Sequence, residues 1–337
     1  MPPASAADGG PMTTPRFIAH DIPDLLNALP TMFGFSPHES IVAIGTSGDR
    51  NRLGFSMRLD LPPPALNALV TRTMASHLVR QGAEGAIVLA VSERPEVAGP
   101  LVRAVERGLG PVRPLVGAWA TRDRYWTTFE DDDPAGHPYE LSGHHLAIVK
   151  AVAEGQEILP DRAALEERLS SVGGPRRRWL DRAADVVMTQ VAAVVARHPD
   201  EDLVALAVRD VGDVVDRLLL GHDVTDADVL RVGVWASTTV VRDHWWEQVR
   251  RDNAKGQHQL WTHVARHAPA SLAPASWCLS AFAAWLAGDG ASALIAAERA
   301  EAIDPEYSMA GLILEILENG LSPETWSWRS QATARSR

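Results

Sequence analysis

Cysteine is nearly absent from this sequence of 337 residues, in which Cys278 is the single example. One thiol excludes an intramolecular disulfide and a cysteine-rich metal site, and it fits a reducing compartment. The first residues also lack an apolar run behind a basic start, which is the pattern of a secretory signal. We therefore expect a cytoplasmic protein, with a loose tail at residues 1–16.

Long uncharged segments are scarce as well. The longest covers residues 268–288 and contains Pro269, Pro274 and several serines, so it does not predict a membrane span. Acidic residues outnumber basic ones by 43 to 32, which gives a formal net charge of −11. A broad acidic field repels nucleic acid and anionic lipid, so we expect neither as a partner.

Several catalytic motifs are missing. The sequence has no Gly-x-Ser-x-Gly, no phosphate-loop lysine motif and no His-Glu-x-x-His, and no Gly-x-Gly-x-x-Gly follows a predicted strand. The familiar hydrolase, nucleoside-triphosphatase, zinc-protease and dinucleotide-binding assignments therefore have no support. Whether the protein is an enzyme stays open, and we expect no cofactor and no metal.

Apolar runs alternate with helical patterns over residues 17–141, which predicts a mixed α/β domain. Asp21 caps a predicted helix that ends near Phe33. Two runs at residues 40–45 and 53–60 flank a group of turn residues and predict a β-hairpin. The pattern then predicts a helix at 65–81, a strand at 86–91, a helix at 97–109, a strand at 112–119 and an edge strand at 125–129. Strands joined through helices pair in parallel, so the sheet is expected to be mixed, with flanking helices. Residues 130–138 predict an exposed acidic loop.

The pattern changes after residue 141, because no strand-like alternation follows. We expect residues 142–328 to form an all-helical domain and residues 329–337 a tail, which makes the fold class α+β or α/β. Glycine or proline separates most of the predicted helices, which cover residues 142–154, 161–170, 176–197, 201–220, 226–250 and 257–267 before a terminal group.

Residues 274–307 predict one tetratricopeptide-like helical hairpin. Trp277 takes the aromatic position of such a repeat, Ala293 and Ala300 the close-packing positions, and Asp304-Pro305 the closing turn. An ordinary helical hairpin is the alternative. A single repeat cannot bury its own face, so the hairpin is expected to cap the helical domain rather than to form a peptide groove alone.

Short motifs along most of the chain carry a family resemblance. They are Pro23-Asp24-Leu25-Leu26, Pro30, Gly34-Phe35, Pro37, Ser40, Leu59-Asp60-Leu61-Pro62, Val241-Arg242-Asp243, Leu260-Trp261, Ala283-Ala284-Trp285, Gly288-Asp289-Gly290 and Asp304-Pro305 with Tyr307. This set resembles an actinobacterial family known as domain of unknown function four-one-nine-two. The resemblance implies the two-part architecture and supplies no activity or catalytic residue.

Polar residues follow the predicted strands and give the candidate ligand-binding site. Ligands of sheets with parallel strands bind beyond the carboxyl ends of those strands. That position is taken here by Asp60, Ser92, Glu93 and Asp123. These side chains would bind cations or act as acid and base. The alternative is that they cap helices and solvate turns.

Three other groups could carry chemistry. His263 and His267 lie four residues apart on a predicted helix, a spacing that suits metal binding, although no third ligand is evident and two exposed histidines are the alternative. The basic run at residues 176–178 begins a helix and either faces an anion such as phosphate or is a solvated turn. Arg242 and Asp243 are neighbours on a helix, so each is expected to pair elsewhere.

The leading functional hypothesis is a protein–protein interaction or scaffold module, in which the helical part presents a surface to an unidentified protein partner. The alternative is a small-molecule-binding or enzymatic α/β domain with its site at the strand ends. Fold alone does not decide between them.

Overall fold

A computed structural model of the chain describes residues 19–129 and 133–326. Within these residues, a six-stranded mixed sheet lies near the start of the chain and is followed by a mostly helical part. The predicted α+β class is therefore confirmed, whereas both predicted tails lie outside the described residues. None of the helices in the described ranges is long and apolar enough to cross a lipid bilayer.

The sheet has both parallel and antiparallel pairs. Its strands are β1 Ser40–Ser47, β2 Arg52–Asp60, β3 Gly85–Val91, β4 Arg113–Ala120, β5 Arg124–Thr127 and β6 His137–Pro138. Their order across the sheet is β2-β1-β3-β4-β5-β6. The predicted hairpin is the antiparallel pair β1 and β2, and β3 runs parallel to β4, as the helix between them requires.

The outer edge of the sheet differs from the prediction. The strand predicted at residues 125–129 is present as β5, but β6 pairs with it and forms the edge. This two-residue strand lies in the segment predicted as an acidic loop, of which residues 130–132 are outside the described part. Two residues are too few to show the alternation on which strand prediction depends.

Helices cover both faces of the sheet. They are α1 Ile22–Phe33, α2 Asn67–Arg80 and α3 Pro95–Gly108. Leu29 of α1 belongs to the buried cluster on one face, whereas Met74 of α2 and Leu101 of α3 belong to the cluster on the other. Because both faces are covered, β1 and β3 are buried along nearly their whole length, which explains why they are continuous apolar runs.

The helices that follow the sheet share one large core, apart from the first of them, which packs on α1. They are α4 Leu146–Ala153, α5 Arg162–Arg168, α6 Gly174–Arg197, α7 Leu203–Leu219, α8 Asp226–Ala236, α9 Thr239–Gln248, α10 Ala254–His267, α11 Ala273–Leu286, α12 Gly290–Ile303 and α13 Ser308–Glu318. Helix α11 lies at the centre, since all 14 of its residues are buried. It packs against α10, α12 and α13, and also contacts α8 and α9.

The single helix predicted at residues 226–250 is wrong, because two helices occupy this segment. Helix α8 ends at Ala236, where the Ser237 hydroxyl donates to the Val234 carbonyl at 2.7 Å. Thr238 then adopts an extended backbone and precedes α9. Serine and threonine bond readily to nearby backbone groups, so they accommodate a helix break that apolar periodicity alone does not reveal.

Besides the packing of α4 on α1, the two parts of the chain contact each other at two further places. Phe35, which follows α1, is buried in the core of the helical part, and its neighbour Ser36 donates its backbone N–H to Leu159 at 3.1 Å. At the second place, Arg80 of α2 donates to the backbone carbonyl of Asn319 at 2.6 Å. The α/β part is therefore held against both ends of the helical part.

Candidate functional site

The predicted strand-end residues lie along one edge of the sheet. Ser40, which begins β1, pairs with Asp60 on one side and with Val91 on the other. Val91 in turn lies opposite Ala120, the last residue of β4. The ends of β2, β3 and β4 therefore meet at this edge, and the residues that close or follow them are Asp60, Ser92, Glu93 and Asp123. We call this edge the strand-end rim.

Glu39 occupies the centre of the rim and was missed by sequence reasoning. Its carboxylate accepts hydrogen bonds from the Ser92 hydroxyl at 2.9 Å, the Glu93 backbone N–H at 3.1 Å and the Arg94 Nε at 3.1 Å. Burial raises the pKa of Glu39, but the hydrogen bonds from Arg94 and Ser92 outweigh this effect and hold it below its usual value. The carboxylate thus stays charged and fastens the end of β3 to the start of β1.

The backbone of Glu39 is unusual, because its φ of 42° lies in the left-handed region. Its carbonyl accepts the backbone N–H of Leu61 at 2.7 Å, just after β2 ends. Such a conformation is costly for a residue with a side chain and persists only where neighbouring contacts fix it. No local pattern in the sequence predicts this backbone conformation, since the contacts that fix it come from the ends of β2 and β3.

Asp60 is engaged by a neighbouring arginine. Its carboxylate lies 2.5 Å from Nη2 of Arg58, whose Nε donates to the Ser40 hydroxyl at 2.8 Å. The Asp60 side chain is 78% exposed, whereas that of Arg58 is only 9% exposed. Asp60 therefore neutralises a buried arginine from the solvent side.

Asp123 belongs to the turn between β4 and β5. Its carboxylate accepts from the Thr121 hydroxyl at 3.3 Å, and its backbone carbonyl accepts from the Tyr139 N–H at 3.0 Å. The Tyr139 hydroxyl donates to the Thr121 carbonyl at 2.9 Å. Burial, assisted by the negative charges of Glu93 and Asp123, raises the pKa of Tyr139 to about 12. Tyr139 is therefore a neutral donor that closes the turn.

The rim brings carboxylates near one another without forming a metal site. Among the described residues, no three His, Cys, Asp or Glu side chains are placed to hold one metal ion. Ser92 is 3% exposed and its hydroxyl also accepts the Arg94 backbone N–H at 3.0 Å. The polar groups of the rim thus bond mainly to turns and strand ends of the same domain.

A comparison with protein-family models decides which family this architecture represents. The model described as Domain of unknown function (DUF4192) matches residues 23–324. This range includes the whole sheet, helix α1 except its first residue, and helices α2 to α13. The chain belongs to the DUF4192 family. No curated protein and no solved structure gave a match.

The histidine pair of this DUF4192 protein has the predicted proximity. The rings of His263 and His267 lie 4.3 Å apart, and Nδ1 of His267 lies 2.7 Å from the His263 carbonyl oxygen. Burial, with the neighbouring His267 and Arg266, lowers the pKa of His263 to about 4. Burial likewise lowers the pKa of His267. Two neutral imidazoles therefore lie against each other at neutral pH, with their ring planes tilted by 32°.

This pair predicts a loss of stability on acidification. The unfolded chain protonates these histidines near pH 6.5, whereas the folded chain resists protonation until about pH 4 for His263. The unfolded state then binds more protons, so the free energy of unfolding is expected to fall as the pH drops through this window. His263→Gln should flatten the profile, measured by urea denaturation from pH 7 to pH 4.

The control for this experiment is His222→Gln, which removes an exposed histidine that follows α7. The side chain of His263 is partly exposed, so solvent weakens its contribution to the free energy of unfolding. The quantity to compare between the variants is therefore the slope of this free energy against pH, not a fixed energy. An equal change of slope in both variants would show that the His263–His267 pair is not the source.

The basic run at residues 176–178 divides among three environments. Arg176 pairs with Asp226 at 2.7 Å, and Arg178 is exposed. Arg177 donates from Nε to Asp181 at 2.8 Å and from its two Nη atoms to the backbone carbonyls of Ala268 and His267. The run is therefore not a uniform solvated turn, because Arg177 joins the start of α6 to the end of α10.

The expectation that Arg242 and Asp243 pair elsewhere is wrong. Nη2 of Arg242 lies 2.7 Å from an Asp243 carboxylate oxygen, and Nε of Arg242 donates to the same oxygen at 3.0 Å. Nη1 of Arg242 donates to the Tyr307 hydroxyl at 2.9 Å. The long arginine side chain is buried beside Tyr307, which precedes α13, and bends back to its neighbour in sequence, a direction that helical spacing alone does not predict.

Cys278 has no reactive character. It lies on α11 with no exposed surface, and burial raises the pKa of its thiol to about 12. A protonated, enclosed thiol is a core side chain and not a nucleophile.

Proposed function

We propose that this DUF4192 protein is a protein–protein interaction module whose docking face includes an apolar stripe on α4. The stripe consists of Leu146, Val149 and Val152, which are 72, 49 and 54% exposed. They are spaced three residues apart and so lie on one side of the helix. Ala147 and Ala151 on the other side are buried.

The stripe is the observation that carries the proposal. Helix α4 packs on α1, so its buried side already has a partner within the chain, whereas its outer side has none among the described residues. Scattered exposed apolar residues need no explanation, but several on one helix face are typical of a protein-binding surface. The partner we propose presents a complementary apolar face.

The alternative of an enzymatic or ligand-binding strand-end rim receives less support. Asp60, Ser92 and Asp123 each have partners within the domain, as does Glu39 between them. We assign these residues the structural role of fastening strand ends and turns. Glu93 remains exposed at the rim, and one exposed carboxylate does not make a site.

We extend the proposal to the architecture, location and origin of the chain. The pair α11 and α12 takes the place of the tetratricopeptide-like unit, with Trp277, Ala293 and Ala300 all buried, and we propose that it closes the helical part. A domain boundary near residue 141, a cytoplasmic location and an actinobacterial origin are proposed with it. The buried single thiol fits a reducing compartment.

The stripe is tested by placing charges on it. The double variant Leu146→Glu, Val149→Glu is expected to lose proteins that co-purify with the full chain, because burying two carboxylates in an apolar interface is costly. Quantitative affinity purification from the source organism, with the wild type in parallel, measures the loss. Deleting residues 274–320 would be uninformative, since it removes the wholly buried α11.

A matched control exists at Val208 on α7 and Leu220, which directly follows α7. Val208 and Leu220 are 42 and 72% exposed, which resembles the exposure of the stripe residues, but they lie 12 positions apart. Val208→Glu, Leu220→Glu should keep the same partners. The proposal fails if both double variants behave alike, or if both retain every partner of the wild type.

A further inference from the structure

A cleft of about 280 Å³ opens in the helical part. Its lining combines two arginines with mostly apolar residues and contains no acidic side chain: Ser171, Arg177, Ala268, Ala270, Trp277, Arg299, Ala302 and Ile303. No residue of the α4 stripe belongs to it. In a chain with a net charge of −11, a cleft with only positive charges on its wall is an exception.

Arg299 of α12 has hydrogen-bonding capacity left for a ligand. Its Nη2 donates to the Glu166 backbone carbonyl at 2.7 Å, and its Nε is buried without a hydrogen-bond partner among the described residues. The neighbouring Glu298 lies 3.9 Å from Arg162 instead. The positive charge of Arg299 is thus met by a neutral carbonyl, and Nη1, which makes no hydrogen bond to the described residues, is a donor that an anion in the cleft could engage.

The position of Arg299 is fixed by its surroundings. Its guanidinium carbon lies 5.7 Å from the ring centroid of Trp277, within the range of a cation–π contact. Trp277 has no exposed surface and cannot move aside. The Trp277 ring contacts the face of this guanidinium and the Glu166 carbonyl accepts from one Nη, so the group is already ordered before a ligand binds. Little side-chain entropy is then lost on binding.

Arg177 supplies a second set of donors on the wall. Its Nη1 and Nη2 donate to the carbonyls of Ala268 and His267 at 3.0 and 2.9 Å. Each Nη carries two hydrogens, so each retains one N–H beyond these bonds. Asp181, which accepts from Nε, balances the charge of Arg177 but does not line the cleft. The wall therefore presents two guanidinium groups of which one is unbalanced.

Apart from Ser171, the rest of the lining is apolar, which restricts the ligand. Ala268, Ala270, Ala302 and Ile303 offer no donor or acceptor from their side chains, and Ile303 is 37% exposed at the surface. The volume is at the lower limit of typical small-molecule sites, which run from about 300 to 1,000 Å³. A bulky or highly charged ligand therefore fits poorly. A ligand with one anionic group on a short aliphatic body matches both the two arginines and the apolar lining.

We propose that this cleft binds a carboxylate carried on a short apolar body, with Arg299 and Arg177 holding the carboxylate and the alanine and isoleucine side chains contacting the body. Two sources share this chemistry, namely a small organic acid and the C-terminal residue of a peptide. A carboxylate matches the planar fork of a guanidinium with two parallel hydrogen bonds.

Isothermal titration calorimetry on the full chain at low ionic strength tests the proposal. The probes are hexanoate, acetyl-glycyl-leucine with a free carboxylate, the same peptide as its amide, and inorganic phosphate. We expect saturable binding of hexanoate or the free peptide acid, and none of the amide. Tighter binding of the peptide acid than of hexanoate assigns the site to chain termini, and the reverse order assigns it to small acids.

Two variants locate the binding in the cleft. Arg299→Gln keeps a polar side chain but removes the charge, and is expected to weaken binding by about tenfold or more. Ala302→Glu places a tethered carboxylate at the cleft from an exposed position, and should abolish binding without disturbing the core. The control is Arg178→Gln, which removes the same charge from an exposed site outside the lining and should bind as the wild type does.

Three results would overturn the proposal. The first is the absence of saturable binding by either carboxylate, and the second is binding of phosphate alone. The third is an equal loss in Arg178→Gln and Arg299→Gln, which would indicate a general effect of net charge. If Arg299→Gln fails to fold, as judged by circular dichroism, Ala302→Glu decides the question alone.

Discussion

Replacing Trp277 by alanine is expected to lower the free energy of unfolding by about 3–5 kcal/mol, the usual cost of removing a large aromatic side chain from a packed core. Trp277 has no exposed surface and lies on α11, all 14 residues of which are buried. The surrounding helices cannot collapse into the space, because α11 is enclosed by α10, α12 and α13. Urea denaturation followed by circular dichroism gives the change in midpoint.

Trp179→Ala is the matched control. Trp179 lies on α6 with 47% of its surface exposed, so its removal forfeits little burial and should cost about 1 kcal/mol or less. If the slope of the free energy of unfolding against urea concentration is the same in both variants as in the wild type, the two-state comparison is sound. Similar losses in the two variants would contradict a central position for α11.

The elements that sequence predicts well are those whose signal is local. The sequence of the β1–β2 hairpin has a cluster of turn residues and, in its second strand, an alternation of apolar and polar residues. Both features correspond to the observed antiparallel pair. Strands β1 and β3 are apolar throughout because helices cover both faces of the sheet, so their runs remain recognisable. The mixed sheet followed by helices could therefore be predicted from the sequence.

The strand-end rim was only partly predictable. Its members Asp60, Ser92 and Asp123 follow from the rule that strand ends share an edge. Glu39 does not follow, because its role depends on a positive φ and on bonds to Ser92 and Arg94, 53 and 55 residues away. Likewise, the adjacency of Arg242 and Asp243 in the sequence did not predict the hydrogen bond between them, because the surrounding residues determine the direction of a long side chain.

Phe35 shows the same limit for the core. Its position after α1 suggests membership in the α/β part, yet it is buried to 1% exposure within the cluster of the helical part. The backbone explains this insertion, because Leu159 donates its N–H to Gly34 at 2.8 Å and accepts that of Ser36 at 3.1 Å. A single bridge between residues more than a hundred positions apart leaves no periodic signal.

Replacing Phe35 by alanine is consequently expected to weaken both parts, with a total loss of about 3–5 kcal/mol in the free energy of unfolding. The ring packs in the helical core and also lies 5.6 Å from the guanidinium carbon of Arg58, which β2 contributes. Its loss should therefore speed amide exchange at Ser36 and Leu159, measured by hydrogen–deuterium exchange, as well as shift the urea midpoint.

The control for this variant is Phe129→Ala, at a phenylalanine that is 56% exposed, where about 1 kcal/mol or less should be lost. Because both variants remove the same side chain, the difference between them isolates burial in the helical core. If Phe35→Ala lowered the midpoint without altering exchange at Leu159, the ring would be a component of the core alone. Faster exchange at Leu159, with Phe129→Ala unchanged, is expected because Phe35 joins the sheet to the helices.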